Sequence, residues 1–332
     1  MGVLNLVQRF IVAFIAIPTV MYCIKYHSLL TIITTTLSIV GIYELHGISN
    51  RITNLLLPMN GSSASTSTNT LNTSTTSNST NVLLTLFLTY IGYFHSNSGT
   101  SNLNTIDFTQ HLSCAMIFIF FFIFVLDMIV FSPYGLSDEH HTRTFLKIFM
   151  RTFSVFYIGL GFSSALYLVQ QYRFLLVLIL FCNWASDAMA LLFGKKLGHY
   201  KLHRYLSPNK TIEGGIGAIL GSTLTAYLLY LVNERVLDLN EFFREEYNDS
   251  TTTITTTTLN HHYILPFHLY IVYGIILGVL GIIGDLIESY LKRIAKVKDS
   301  GSFFGAHGGV LDRVDGLLFS FPIMVMIHMY MV

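Results

Sequence analysis

The sequence predicts an all-α, polytopic integral membrane protein, a helical bundle of about eight or nine transmembrane helices. Hydrophobic residues fill 52% of the 332 positions and charged residues only 11%, and the mean hydropathy is +0.58. Soluble domains carry about 25% charged residues, so the composition excludes that class. Apolar runs that approach the roughly 20 residues needed to cross a bilayer recur along the whole chain.

The apolar runs divide the chain into two predicted regions. Residues 1–150 are expected to form N-terminal transmembrane helices, the first two as a hairpin. Residues 151–332 are expected to form a C-terminal transmembrane region, which carries the polar motifs. The runs cover residues 10–25, 29–43, 82–94, 113–132, 153–170, 174–193, 212–233, 263–287 and 317–332.

A low-complexity segment interrupts the N-terminal region. Residues 60–81 are almost wholly Ser, Thr, Asn and Gly, and residues 251–258 form a similar tract. Such segments cannot bury enough apolar surface to offset the entropy of ordering. We therefore expect both to be disordered insertions without catalytic residues.

The basic residues indicate the orientation of the spans. With nine spans and a cytoplasmic N-terminus, 15 of the 19 Lys and Arg residues fall on the cytoplasmic side and 4 on the other. Short cytoplasmic loops carry this excess in membrane proteins. The topology places the charged motifs of the C-terminal region on one side of the membrane.

The densest charged stretch spans residues 284–316. Asp285, Glu288, Ser289 and Lys292 follow helical spacing and would share one face. A glycine-rich turn over residues 299–309 follows. Clustered carboxylates suit Mg²⁺, whereas cations and glycine backbone suit phosphate. Any one of these residues could belong to a solvated loop, but carboxylates inside an apolar helix are costly and usually functional. Together they indicate a metal–polyphosphate site.

A second polar stretch lies nearer the middle of the chain. Asp187 falls deep in an apolar run, where it is either functional or a structural partner of a lysine. Ser207 and Pro208 are predicted to begin a helix, with Glu213 reaching back to cap it. A helix N-terminus that carries Lys210 and Thr211 would also bind an anion. Capping alone is the alternative for Ser207 and Glu213.

The charged stretch resembles the signature of the phosphatidate cytidylyltransferases, or CDP-diacylglycerol synthases. The match reads Ser289-x-Leu291-Lys292-Arg293-x₄-Lys298-Asp299-x-Gly301-x₅-His307-Gly308-Gly309-x₂-Asp312-Arg313-x-Asp315. It is closest to the bacterial and organellar branch. Gly305-Ala306 departs from the Pro-Gly of the family, which bears on the local turn. The segments around Asp187 and at residues 207–215 are similar to a second shared region, and the N-terminal half resembles the family only loosely.

This resemblance implies an enzyme, a nucleotidyltransferase that converts CTP and phosphatidic acid to CDP-diacylglycerol and pyrophosphate. The expected catalytic residues are Asp285, Lys292, Asp312, Arg313 and Asp315. The expected metal ligands for Mg²⁺, with a second cation left open, are Asp285, Asp312, Asp315 and Asp187. The expected substrate-binding residues are Ser207, Lys210, Thr211, Glu213, Ser289, Arg293, Lys298, Asp299, His307, Gly308 and Gly309.

The expected partners are CTP, phosphatidic acid and the lipid bilayer, without nucleic acid and with a homodimer left open. The sequence does not decide between the endoplasmic reticulum and a plastid-type or mitochondrial-type membrane. Two other classes of membrane protein are alternatives. The CDP-alcohol phosphatidyltransferases have a DG-x₂-AR…G-x₃-D-x₃-D spacing that this chain lacks. A transporter could use Asp127, Asp187 and Asp285 as ion ligands, but its polar motifs would be expected in both halves.

Overall fold

The computed structural model describes residues 19–56, 125, 138–203, 207–235, 265–305 and 308–331. Within these ranges six long helices and one short hairpin position the site. The helices are α1 (His27–Leu56), α2 (Asp138–Gln171), α3 (Arg173–Lys196), α4 (Ile212–Arg235), α5 (Phe267–Ile294) and α6 (Leu311–Met331).

All six helices are long and apolar enough to cross a membrane, which confirms the polytopic helical class. The total of eight or nine spans stays a prediction, because the apolar runs at 82–94 and 113–132 and most of that at 10–25 lie outside the described residues. The insertions at 60–81 and 251–258 also lie outside them. Helix α5 continues past its apolar run to Ile294, so Glu288 and Lys292 are helical.

Helix α1 is rich in hydroxyl side chains that its own backbone satisfies. The hydroxyls of Thr34 and Thr35 donate to carbonyls four residues earlier, at 2.9 and 2.7 Å, and that of Ser38 donates to a carbonyl three residues earlier at 2.9 Å. A hydroxyl bonded inside its own helix costs little in lipid, whereas an unpaired one would be expensive. This pattern lets a Thr-rich segment form a spanning helix.

Small residues let α4 pack closely between α3 and α5. A Cβ added at Gly217 would lie 2.6 Å from the Phe193 side chain of α3. On the opposite contact, a Cβ added at Gly278 of α5 would lie 2.7 Å from Cα of Ile219. Close backbone approach through small residues is a usual way to hold membrane helices together. The contacts make α3, α4 and α5 one tightly packed unit.

Two buried apolar clusters hold the remaining helices. One joins α3, α5 and α6 through residues such as Leu178, Tyr273 and Phe321. The other joins α1, α2 and α6 through residues such as Leu45 and Ile158. The second cluster brings α1 against the start of α6, so an N-terminal helix lies beside the C-terminal motif.

The segment before α4 differs from the sequence prediction. Strand β1 (Lys201–His203) pairs antiparallel with β2 (Ser207–Thr211). The expected helix start at Ser207 is therefore wrong. A residue before proline is pushed toward extended backbone, which favours a strand at Ser207–Pro208. The helix begins at Ile212 instead, and the hydroxyl of Thr211 accepts the Gly214 N–H at 3.1 Å as its cap.

Candidate active site

A cavity of about 710 Å³ opens at the end of the bundle where α3 ends, α4 begins, α5 ends and α6 begins. Residues from both polar stretches line it. The two stretches, far apart in sequence, therefore meet in one place. The charged lining residues are Asp187, Lys195, Lys210, Asp285, Glu288, Lys292, Asp312, Arg313 and Asp315.

Three carboxylates converge inside this cavity, and we call Asp285, Glu288 and Asp315 the carboxylate cluster. Each offers one oxygen such that the three oxygens lie within 4.8 Å of one another. Glu288 is only 3% exposed, and its Oε1 has no hydrogen-bond partner among the described residues. A buried carboxylate oxygen left unpaired is costly, so the cluster has the character of a cation site.

The two polar stretches are joined by an ion pair. Lys210 Nζ, from β2, pairs with Asp285 Oδ2 on α5. The other oxygen of Asp285 accepts the hydroxyl of Ser289 at 3.2 Å. Lys210 is thereby held over the carboxylate cluster, where it can reach an anion bound in the cavity.

Lys292 bridges two acidic side chains from different helices. Its Nζ donates to Glu288 Oε2 at 2.7 Å and to Asp312 Oδ1 at 2.6 Å. A lysine with two charge-assisted bonds in a half-buried site is firmly oriented. This bridge ties the end of α5 to the start of α6.

The second oxygen of Asp312 is surrounded by donors from the loop before α6. Oδ2 accepts the backbone N–H of Ser300 at 2.8 Å, the Ser300 hydroxyl at 2.9 Å and the Gly309 N–H at 2.8 Å. Gly308 lies at φ +85, and a Cβ there would come 2.8 Å from Oδ2. Gly308 and Gly309 are buried beside Asp312 and lie outside the described lining of the cavity, and their expected part in substrate binding stays a prediction.

The carboxylate cluster depends on a close approach of α5 and α6. A Cβ added at Gly284 would lie 2.6 Å from the carbonyl oxygen of Asp315 and 2.8 Å from Cα of Gly316. On the other side of α6, the Tyr157 hydroxyl donates to the same carbonyl at 3.0 Å. Glycine at 284 therefore lets Asp285 and Asp315 sit side by side.

The other predicted site residues lie in several different places. Thr211, Asp187 and Arg313 line the cavity. Ser207 is buried, and Glu213 accepts the backbone N–H of Tyr200 at 3.1 Å, so both support the hairpin. Ser289 lies behind Asp285, and Arg293, Lys298 and Asp299 are exposed outside the described lining. His307 and Asp127 lie outside the described residues.

Two acidic residues at this end of the bundle were not among the predicted catalytic residues or metal ligands. Glu288 shares the helical face of Asp285 and Lys292, and that spacing was a usable signal. Glu44 of α1 accepts hydrogen bonds from the loop beside Asp312, a contact that no local pattern indicates. Its signal was a lone carboxylate within an apolar helix.

Comparison with known proteins identifies the family of this chain. A model of the cytidylyltransferase family matches residues 7–331. Phosphatidate cytidylyltransferases of Staphylococcus haemolyticus (strain JCSC1435) and Staphylococcus aureus (strain COL) are 34% identical over 178 residues and 35% identical over 181 residues. Both alignments cover 52% of this chain and 55% of the relative. The chain thus spans about half the length of these curated relatives.

The fold defines a multi-span membrane protein with a cavity at one end that is lined by both carboxylates and basic side chains. The chain belongs to the cytidylyltransferase family, because the match covers almost all of its residues. These relatives are bacterial. The six apolar helices indicate an integral membrane protein, and the bacterial relatives support neither the endoplasmic reticulum nor an organelle.

Proposed function

We propose that this chain is a phosphatidate cytidylyltransferase, the activity carried in the names of its staphylococcal relatives. The observation that carries the proposal is the single cavity in which Lys210 and Lys292 face the carboxylate cluster. The reaction brings two polyanions together, CTP and the phosphate monoester of a lipid. Fixed cations beside a cation site supply the neutralisation that such a transfer needs.

The residues present fit Mg²⁺. Oxygen ligands at this density suit a hard divalent cation, and the unpaired Oε1 of Glu288 points to a ligand at the carboxylate cluster. Asp285, Glu288 and Asp315 would hold the ion. Asp312 and Asp187 border the same cavity and remain proposed ligands there. When bound, Mg²⁺ would neutralise phosphate charge and stabilise the transferring group.

The chain's own residues would orient the two substrates. An oxygen of the lipid phosphate attacks the α-phosphorus of CTP, and the bond from that phosphorus to the bridging β-phosphate oxygen breaks to release pyrophosphate. Lys210, Lys292 and Arg313 would hold the phosphate groups in line. The attacking phosphate is already anionic, so no side chain has to remove a proton.

The lining of the cavity also suits a lipid substrate. Besides the charged groups, apolar side chains such as Leu191 and Ile282 contribute to it. Leu191 is 51% exposed on a helix long enough to span a bilayer. We propose that phosphatidic acid enters sideways from the leaflet, with its phosphate toward the lysines and its acyl chains along this apolar side.

The decisive experiment is an assay of the purified chain in detergent–lipid micelles. Labelled CTP with phosphatidic acid and Mg²⁺ should give labelled CDP-diacylglycerol and an equal amount of pyrophosphate, and chelation of the metal should stop it. Two further arms separate the alternatives. Release of CMP from CDP-diacylglycerol with an alcohol would indicate a CDP-alcohol phosphatidyltransferase. Ion flux into proteoliposomes without product would indicate a transporter.

Lys210→Ala is expected to raise the apparent KM for CTP and to lower kcat together, with kcat/KM falling about 10-fold or more. A charge-assisted contact to phosphate that strengthens in the transition state affects both constants. Steady-state kinetics in CTP measures this. Lys201→Ala is the matched control, because Lys201 is an exposed lysine on β1 outside the described lining. If Lys210→Ala and Lys201→Ala have the same KM for CTP and the same kcat, Lys210 does not contact the substrate.

A further inference from the structure

Helix α1 carries one acidic residue, Glu44, within a largely apolar segment. Its neighbours Ile42, Leu45 and Ile48 are buried in the cluster that α1 shares with α2 and α6. A carboxylate at such a place is expensive unless it is paired. Glu44 is held there by packing and must find its partners locally.

Those partners are donors from the loop that carries Asp312. Glu44 Oε1 accepts the Val310 N–H at 2.9 Å, and Oε2 accepts the Leu311 N–H at 3.0 Å. The hydroxyl of Ser300 lies 3.1 Å from Oε2. Leu311 is the first residue of α6 and Val310 directly precedes it, so Glu44 satisfies N–H groups that the helix cannot bond itself and lies at its positive end.

Glu44 and Asp312 bind neighbouring donors of one loop and share the Ser300 hydroxyl. The Ser300 hydroxyl is within hydrogen-bond distance of both carboxylates, although it has a single proton to donate. The backbone N–H groups of residues 300 and 309 bond Asp312, and those of residues 310 and 311 bond Glu44. The two carboxylates therefore hold the loop from both sides.

Two glycines let the loop pack closely against Glu44. A Cβ at Gly309 would lie 2.5 Å from either carboxylate oxygen of Glu44, and a Cβ at Gly301 would overlap the same side chain. Glu44 itself is absent from the described lining of the cavity. It touches the loop that supports Asp312 without reaching the space where a substrate would bind.

We propose that Glu44 is a positioning residue for the active site. It fixes the described residues before α6, 300–305 and 308–310, so that Asp312 stays oriented toward Lys292 and the carboxylate cluster. This inference rests on the proposed function for its kinetic consequence. Its structural consequence, order in the loop, does not depend on which reaction the chain catalyses.

The first test measures order in the loop directly. Hydrogen–deuterium exchange of the purified chain without substrates should show faster exchange over residues 300–311 in Glu44→Gln, by about 10-fold for the affected amides. The amide keeps one acceptor but turns an N–H₂ group toward a backbone donor. Glu234→Gln makes the same change at the C-terminal end of α4 and should leave this segment unchanged. Unchanged exchange in Glu44→Gln would overturn the proposal.

The second test separates positioning from plain stability. At a temperature where the protein is folded, Glu44→Gln should lower kcat at least about 10-fold, since misplacing a catalytic group by about 1 Å is costly to catalysis. It should also weaken the binding of Mn²⁺, which is measured by electron paramagnetic resonance without CTP. A lower Tm with wild-type kcat and Mn²⁺ affinity would reduce Glu44 to a helix cap and overturn the proposal. If the wild-type chain shows no cytidylyltransferase activity, the proposed function is wrong, but the hydrogen-exchange result still tests the role of Glu44 in the loop.

A double-mutant cycle with Ser300→Ala completes the design. If both side chains act on Asp312 through one loop, their effects on Mn²⁺ affinity should be non-additive by at least about 3-fold. Additive effects would overturn the shared arrangement. Ser300→Ala also serves if Glu44→Gln fails to insert, because it removes the bridging hydroxyl alone. Wild-type Mn²⁺ affinity in Ser300→Ala would then count against the proposal.

Discussion

Asp285→Asn should reduce Mg²⁺-dependent cytidylyl transfer by at least about 10²-fold while the protein still folds and inserts. The amide keeps the shape of the side chain but removes the charge from the carboxylate cluster and from the pair with Lys210. Initial rates across a Mg²⁺ titration, with thermal unfolding in the same detergent, measure both parts. Near-normal turnover would rule out Asp285 as a ligand.

Asp312→Asn should reduce the rate of cytidylyl transfer by a comparable factor, but for a different reason. Its oxygens face Lys292 on one side and three loop donors on the other. The asparagine N–H₂ group cannot accept a hydrogen bond, so the donors on the side to which it turns lose their acceptor. Glu234→Gln, a charge removal on the exposed end of α4, is the control for both variants and should retain wild-type rates.

Gly284→Ala should strongly reduce activity although it alters no charge. The added methyl group would meet the Asp315 carbonyl and Cα of Gly316, which are backbone atoms that cannot rotate away. Helices α5 and α6 must separate, and displacing catalytic groups by about 1 Å can cost 10²-fold in rate. Overpacking of this kind also destabilises by about 1–3 kcal/mol. Rates and thermal unfolding of the purified variant test both effects.

Gly47→Ala is the matched control for this prediction. A Cβ at Gly47 would meet nothing within 4 Å, and alanine is favoured over glycine inside a helix by up to about 1 kcal/mol. The variant should keep full activity and equal or higher stability. Wild-type activity in Gly284→Ala would show that the helix approach is not what aligns the site.

Local patterns predicted the elements well. Each of the six helices α1–α6 overlaps one predicted apolar run, because a span needs an apolar stretch of roughly 20 residues and that requirement can be counted in sequence. The face shared by Asp285, Glu288 and Lys292 followed from helical periodicity. The strand at Ser207–Thr211 was missed, since the capping pattern around Ser207 and Glu213 outweighed the extended preference before Pro208.

The site was only partly predictable for a related reason. Sequence spacing identified the charged residues and the resemblance supplied the reaction, but neither states which oxygen faces which donor. The expected role of Asp312 as a metal ligand with Asp285 stays a prediction, and its contacts with Lys292, Ser300 and Gly309 were not predicted by any spacing. Contacts between helices depend on packing, which is set by the whole fold.

By itself, the sequence determined that the chain crosses a membrane many times and carries its charge in two stretches, because hydropathy and charge are properties of each residue. Only the tertiary structure decided that Glu44 supports the loop of Asp312, that Lys210 pairs with Asp285 and that Gly284 lets two carboxylates meet. These are distances between residues far apart in the chain, and they arise only when the helices pack.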